Sequence, residues 1–267
     1  MNMKIIDLSI AIDNDVLADP PGLEPKIHYM KHDETFEQLG GFFPGLKPEQ
    51  LPGGESWAVE LLSLSTHNGT HMDAPWHYHS TQDAMHKDGP RRAMTIDEVP
   101  LDWCFRPGVK LDFRHVEDGY IITQRDIEAE LSRIGYQLQP LDIVLVNTSA
   151  GQALGQPDFL SKGCGIGREA TLFLCAQGVR VVGTDAWSWD APFAHVAERW
   201  KACHDPSIIW EGHKAGKDMG YFQMEKLANL EALPNHGFMV SCFPIKIKDA
   251  SAGWTRAVAM VDNADQP

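Results

Sequence analysis

Residues 66–79 read Thr-His-Asn-Gly-Thr-His-Met-Asp-Ala-Pro-Trp-His-Tyr-His. His67, His71 and Asp73 fall within seven residues, and imidazole nitrogens together with carboxylate oxygens suit Zn²⁺ or Mn²⁺. The step of four from His67 to His71 would fit one face of a helix. However, Asn68, Gly69 and Thr70 are poor helix formers, and no Glu follows His67 as a zincin helix requires. A bent turn is the expectation instead, because Gly69 permits a positive φ and Pro75 holds Ala74 extended. Two histidines in a polar loop are most often plain hydrogen-bonding groups. Three of them and an Asp in one tight pattern favour a metal.

Outward from this stretch, Trp57–Ser65 reads as a strand, so the histidines sit where a strand exits into a loop. Lys4–Ile12 reads as an earlier strand, broken by Pro20, Pro21 and Gly22. Residues 13–54, with Phe36, Phe42 and Phe43 among prolines and glycines, read as a variable loop or lid. Downstream, Thr95 caps a short turn and Gly108–Phe113 is a strand. Gln124–Ile134 is a helix capped by Thr123 and Asp126, with Ile127, Leu131 and Ile134 on one face. Asp142–Asn147, Arg168–Ala176 and Val179–Gly183 then read strand, helix, strand, giving the middle third a β-α-β character. Phe222–Leu230 reads as a helix, and Phe238–Phe243, Ile245–Lys248 and Arg256–Val261 as strands. No internal repeat or linker divides residues 1–267, which predicts one domain.

Composition excludes several classes. The 267 residues are 43% hydrophobic and 22% charged, enough for a sizeable single core. The formal net charge of −14 leaves no basic stripe for nucleic acid or an anionic membrane. Five cysteines, odd in number and without a Cys-x-x-Cys pair, read as reduced thiols. Met1–Ile10 shows no signal-peptide pattern and no window reaches the length of a membrane span, so a cytoplasmic protein is expected. A serine hydrolase would need a Gly-x-Ser-x-Gly elbow, which does not occur. Gly163-Cys164-Gly165-Ile166-Gly167 lacks the Gly-Lys-Ser/Thr ending of a phosphate loop and reads as a loop entering a helix.

The pattern His-x-Gly-Thr-His-x-Asp-x-Pro-x-His resembles the signature of the metal-dependent cyclase-like hydrolases, a family that includes bacterial kynurenine formamidase, isatin hydrolase and a trans-dienelactone hydrolase. Val181-Val182-Gly183-Thr184-Asp185 and the closing Phe243–Lys248 and Arg256–Val258 runs are similar to that family's later strands. The resemblance implies an α/β, single-domain, swivelling β/β/α cyclase-like fold with mixed sheets, assembled as homodimers or homotetramers. It implies that His67, His71 and Asp73 hold a first metal, that Asp73 bridges to a second, and that His77 is proton donor and acceptor. A second metal site in this family takes a His and a Glu twelve residues later; His213 and Glu225 have that spacing here. One or two ions per chain, Zn²⁺ or alternatively Mn²⁺, are therefore expected.

Two divalent ions sharing a carboxylate would acidify a water and polarise a carbonyl together. The expected activity is hydrolysis of the acyl C–N or C–O bond of a small amide, cyclic amide or lactone by a metal-activated water. An arylformamidase acting on N-formylkynurenine is one alternative. The tryptophan that kynurenine formamidases carry in a Trp-Pro-Gly-Asp segment is missing here, where Leu17–Pro25 reads Leu-Ala-Asp-Pro-Pro-Gly-Leu-Glu-Pro. A catalytically silent metal- or metabolite-binding protein of the same fold is the other alternative, against which a positioned His77 speaks. Trp76, inside the motif, is the expected substrate-pocket aromatic, ahead of Trp187 and Trp189. Asp185 and Asp190 stand equally as orienters of a ligand histidine or as turn caps. His79, His86 and His204 read as ordinary exposed histidines.

Overall fold

Ile143–Val146 sends side chains alternately to two apolar cores: Ile143 and Leu145 join one, Val144 and Val146 the other. That is the pattern of a strand buried on both faces. In the computed structural model, which describes residues 3–262, this run lies at the middle of a nine-stranded mixed sheet. Met1, Asn2 and residues 263–267 of the expected domain lie outside the described residues.

In chain order the strands are β1 (Met3–Asp7), β2 (Lys26–Met30), β3 (Val59–Ser63), β4 (His71–Asp73), β5 (Thr81–Gln82), β6 (Arg91–Arg92), β7 (Phe105–Asp112), β8 (Ile121–Ile122), β9 (Ile143–Asn147), β10 (Gly165–Ile166), β11 (Val181–Thr184), β12 (Phe222–Glu225), β13 (Phe238–Ser241), β14 (Ala252–Trp254) and β15 (Val258–Asp262). The α-helices are α1 (Phe36–Gly40), α2 (Pro75–Tyr78), α3 (Gln124–Arg133), α4 (Arg168–Ala176), α5 (Phe193–Cys203) and α6 (Glu211–Ala215).

The large sheet runs β1-β15-β13-β7-β9-β11-β12-β4-β14. Its centre, β7-β9-β11-β12, is parallel, and antiparallel pairs flank it on both sides. The helices α3 and α4 cross over between the parallel strands and pack Ile127, Leu131, Ala170 and Leu174 onto one face, as parallel connections require. The capping box expected of α3 is present: the Asp126 N–H donates to Thr123 Oγ1 (3.3 Å) and the Thr123 N–H to Asp126 Oδ2 (2.8 Å). The other face buries Ile6, Leu8, Met72, Phe222, Met224 and Val261. The fold is thus one α/β domain built on a mixed sheet. Among the described residues no helix is long and apolar enough to cross a membrane. All five cysteines are thiols, with only Cys203 exposed.

Several local expectations are corrected. Phe222–Leu230 begins as strand β12, and left-handed backbone at Lys226 and Asn229 (φ 55° and 58°) rules out a continuing helix. Ile245–Lys248 is a connection whose Ile245 N–H bonds to Trp254 O (2.8 Å); the edge strand is β14. The first strand ends at Asp7 rather than Ile12. The 13–54 segment is not loop throughout: β2 pairs antiparallel with β3, and α1 lies in the connection between them. The helices α5 and α6 were not anticipated. Neither has a side-chain N-cap hydrogen bond, which removes the usual starting signal.

Gly165 is the closest backbone crossing. A Cβ added there would fall on the Ala191 backbone nitrogen, so the loop carrying Ala191 must shift. Gly165→Ala is expected to cost at least the roughly 1–3 kcal/mol of ordinary overpacking, read as a lowered urea midpoint; an unchanged midpoint would contradict this packing.

Candidate metal centre

Two antiparallel strands assemble the centre. β4 and β12 pair with Asp73 opposite Gln223, Met72 opposite Met224 and His71 opposite Glu225. Because strand side chains alternate, Met72 and Met224 enter the core while His71, Asp73, Gln223 and Glu225 face the other side together. The turn before β4 brings in His67. There Asn68 Oδ1 accepts the Ser65 N–H (2.7 Å), and Gly69 takes φ +63° with Ile12 against it. Pro75 starts α2 and places His77 over the same patch. His213 arrives from α6, some 140 residues after His71, as the sequence spacing anticipates.

Asp73, fully buried, divides the cluster between its two oxygens. Oδ1 lies 2.9 Å from His67 Nδ1 and 3.2 Å from His71 Nε2. Oδ2 lies 3.8 Å from both His77 Nε2 and His213 Nε2. Glu225 also spans the two halves, with Oε2 3.6 Å from His71 Nε2 and Oε1 3.5 Å from His213 Nε2. Ligand atoms of His71, Asp73 and Glu225 all lie within 4.8 Å of one another, as do those of His67, Asp73 and His77. His71 Nε2 and Asp73 Oδ1 are buried without a hydrogen-bond partner. Unpaired buried polar atoms of this kind are costly, and a divalent cation on the His and carboxylate donors would satisfy both. The residues therefore fit such an ion.

Neighbouring groups aim the imidazoles. His71 Nδ1 bonds to Gly69 O (2.9 Å), leaving Nε2 toward the cluster. His213 Nδ1 bonds to Asp190 Oδ2 (2.5 Å), and Asp190 also accepts the N–H groups of Gly212 (2.8 Å) and His213 (3.0 Å). One carboxylate thereby fixes both the start of α6 and the His213 ring. Asp185, by contrast, takes the Thr148 N–H and hydroxyl, away from the ligands. Burial pushes the His77 imidazole down to about 3, Asp73 only partly offsetting it. Burial and the neighbouring Asp73 raise the Glu225 carboxyl. Burial opposes charge on His213, but its bonds to Asp190 and Asp73 prevail and bring it to about 9.

A cavity of about 260 Å³ opens over the cluster, floored by His67, His77, His213 and Glu225. Trp187, Phe193 and Trp210 give it aromatic walls, and Asp19, Pro20 and Leu23 close one side. Trp210 stacks on His213 (4.2 Å between centroids, 20°) and meets His77 edge-on at 5.0 Å. Trp76, the expected pocket aromatic, is 41% exposed and is not among the lining residues. It precedes His77 on a short helical turn and so points elsewhere. Trp189 is buried in the core instead, its indole N–H donating to Thr171 Oγ1 (3.0 Å). His86 pairs with exposed Asp88, and His204 ends α5 in a left-handed turn, both apart from the site. Trp210, Gln223 and Lys226 escaped the sequence reading. The alternation Gln223-x-Glu225 would have exposed Gln223 had this run been read as a strand.

The family described as "Putative cyclase" matches residues 6–191. The kynurenine formamidase of Erythrobacter litoralis is 24% identical over 212 residues, covering 78% of this chain and 80% of that protein. Isatin hydrolase A from Labrenzia aggregata, solved with benzyl benzoate, superposes with a TM-score of 0.68 at 23% identity, over 97% of this chain and 94% of that one. A potential metal-dependent hydrolase with cyclase activity gives 0.64 at 20% identity, over 99% and 100%. The family match takes in the histidine motif, both strands of the central crossover and the Asp190 loop: this chain belongs to the cyclase family.

Proposed function

We propose that this protein is a metal-dependent hydrolase that cleaves the acyl C–N or C–O bond of a small amide, cyclic amide or lactone. One observation carries the reading: His67, His71, Asp73, His77, His213 and Glu225 gather in one cluster, and His67, His77, His213 and Glu225 of it line a small aromatic-walled cavity. His67, His71, Asp73, His213 and Glu225 are the metal ligands, for Zn²⁺ or alternatively Mn²⁺. A divalent ion held there supplies Lewis-acid polarisation of a carbonyl and acidification of water.

The chain's own residues do the rest. Trp187, Phe193 and Trp210 hold a flat, apolar substrate body against the cluster and exclude bulk water. His77 accepts a proton at Nε2 as the attacking water adds and returns it to the leaving nitrogen or oxygen; its depressed basicity makes the protonated ring a strong acid for that second step. Asp190 keeps His213 Nε2 turned to the cluster. Of the 13–54 segment, Asp19, Pro20 and Leu23 reach the cavity and wall one side of it. An arylformamide substrate is supported by the formamidase relative, and Trp187 and Trp210 offer the aromatic surface that Leu17–Pro25 lacks. The acidic chain, with its reduced thiols, fits a cytoplasmic protein that binds neither nucleic acid nor membrane. Assembly as a homodimer or homotetramer is supported by the β2–β3 pair, which leaves Tyr29, Leu61 and Leu62 more than half exposed.

His77→Ala is expected to keep its metal while hydrolysis of an isatin, arylformamide and lactone panel falls by about 10²–10⁴-fold; undiminished turnover would remove His77 from the reaction. Asp190→Asn should weaken metal affinity by about 10–100-fold through the misaimed His213, measured by competition with a chelating dye, and equal affinity would refute the orienting role. Light scattering should give two or four times the 29.7 kDa chain mass, and a single species of monomer mass would exclude the assembly.

A further inference from the structure

Ser188 lines the aromatic-walled cavity and is only 6% exposed. Among the described residues it makes no hydrogen bond, and its Oγ is not sealed in protein but opens on the cavity. The other polar side chains of that lining are committed. Asp19 and Lys226 pair with each other. Asn68 takes the Ser65 N–H and gives its amide to Leu23 O (2.8 Å), and Ser65 Oγ accepts the His67 N–H (3.2 Å). The remaining imidazoles and Glu225 belong to the cluster with Asp73. The loop that carries Ser188 is nevertheless held on both sides of it. Ala186 O accepts the Lys226 N–H (2.9 Å), the Trp189 N–H donates to Glu225 Oε1 (3.0 Å), and Trp189 O accepts the Ile166 N–H (2.9 Å). A fixed backbone thus presents an unpaired hydroxyl between aromatic walls.

A ligand that displaces water from such a hydroxyl loses a hydrogen bond unless it brings a partner of its own. Amides and lactones bring carbonyl oxygens, which are acceptors, so the hydroxyl donates. The one ammonium of the lining, Lys226, is neutralised by Asp19, and the Glu225 carboxylate lies beside the loop, so no cation is free there to pair with an anionic group. We propose that Ser188 selects the substrate, its hydroxyl donating to an uncharged oxygen that the substrate carries besides its scissile carbonyl. The proposal rests on the hydrolase reading above and adds the feature of the substrate that the cavity recognises.

Two matched pairs of compounds, each differing by one ketone, test it on metal-loaded protein. Turnover is measured for formanilide and 2-acetylformanilide, and calorimetry gives Kd for the stable amines aniline and 2-aminoacetophenone. Wild type should favour the ketone member of each pair. In Ser188→Ala that preference should shrink by about 3–10-fold, the size of one lost neutral hydrogen bond, and in turnover the change should fall on KM rather than kcat. If Ser188→Ala does not fold, Ser188→Cys, of similar shape but a weak donor, is read in the same way. No ketone preference in wild type, or the same preference in a variant with native circular dichroism, overturns the proposal; so does an equal loss on both members of a pair, which would place the hydroxyl on the scissile carbonyl. The expected Kd pattern without hydrolysis of either formamide or of the lactam and lactone panel overturns the hydrolase reading and leaves Ser188 as the ligand contact.

Discussion

The pairing of β4 with β12 is the constraint on which the centre depends. Three residue pairs set it, and the middle one, Met72 with Met224, is packed in the core. A slip of one residue would turn one strand over, burying its polar site residues in the apolar core and swinging its methionine into the polar cavity. The hydrophobic effect thus holds the register, and the register brings two buried carboxylates, the His71 imidazole and the Gln223 amide together. Such a group of charges is unfavourable by itself. It persists because Asp190, Gly69, Gln223 and the core around them over-determine each side chain's direction, leaving the cluster as a preformed cation site.

The centre also lies where the sheet changes character. β11 and β12 are the last two parallel strands, and β4 runs against them. Glu225 ends β12, and the loop leaving the carboxyl end of β11 carries Asp185, Trp187 and Asp190. Ligands in open α/β sheets bind at such a change of direction, beyond the carboxyl ends of the strands. Here the reason is concrete. Parallel strands deliver their loops to one end, and the antiparallel neighbour delivers the start of its own strand, the histidine turn, to that same end.

What was legible in the sequence follows from the range of the interactions. The α3 helix announced itself because its cap, its acidic partner and its apolar face lie within a dozen residues. β9 and β11 were legible as short β-branched runs buried on both faces. The cluster was legible through residue chemistry and the resemblance it carried, and His213 and Glu225, singled out by their spacing, lie beside Asp73 and His71. Strand β12 was not, since Phe222, Met224, Leu227 and Leu230 satisfy a helical period as well as an alternating one. Pairing with β11, some 40 residues earlier, and with β4, some 150 earlier, decides between them. In a helix Gln223 and Glu225 would diverge; on a strand they share a face. The pocket aromatic was misplaced for the same reason, as Trp76 is near in sequence while Trp187 and Trp210 are near only in space.

Lys226 shows how the second half of the chain is locked to the first. It follows Glu225 in a left-handed conformation (φ 55°) that turns the backbone out of β12. Its N–H donates to Ala186 O (2.9 Å) and its carbonyl accepts the Thr70 hydroxyl (2.6 Å). The ammonium is buried, paired with Asp19 and bonded to His67 O (2.9 Å). One residue therefore touches the histidine turn, the loop after β11 and the entry segment that closes the cavity. Removing one member of a buried ion pair strands the other at a cost of about 3–5 kcal/mol, so Asp19 and its loop are held to the histidine turn much more firmly than a surface lid. Motion of the 13–54 segment must then be sought beyond this anchor, in the β2–β3 pair and in α1, whose residues include none that are buried. The wall formed by Pro20 and Leu23 belongs to the fixed part of the site, and it limits the substrate to what fits beneath it.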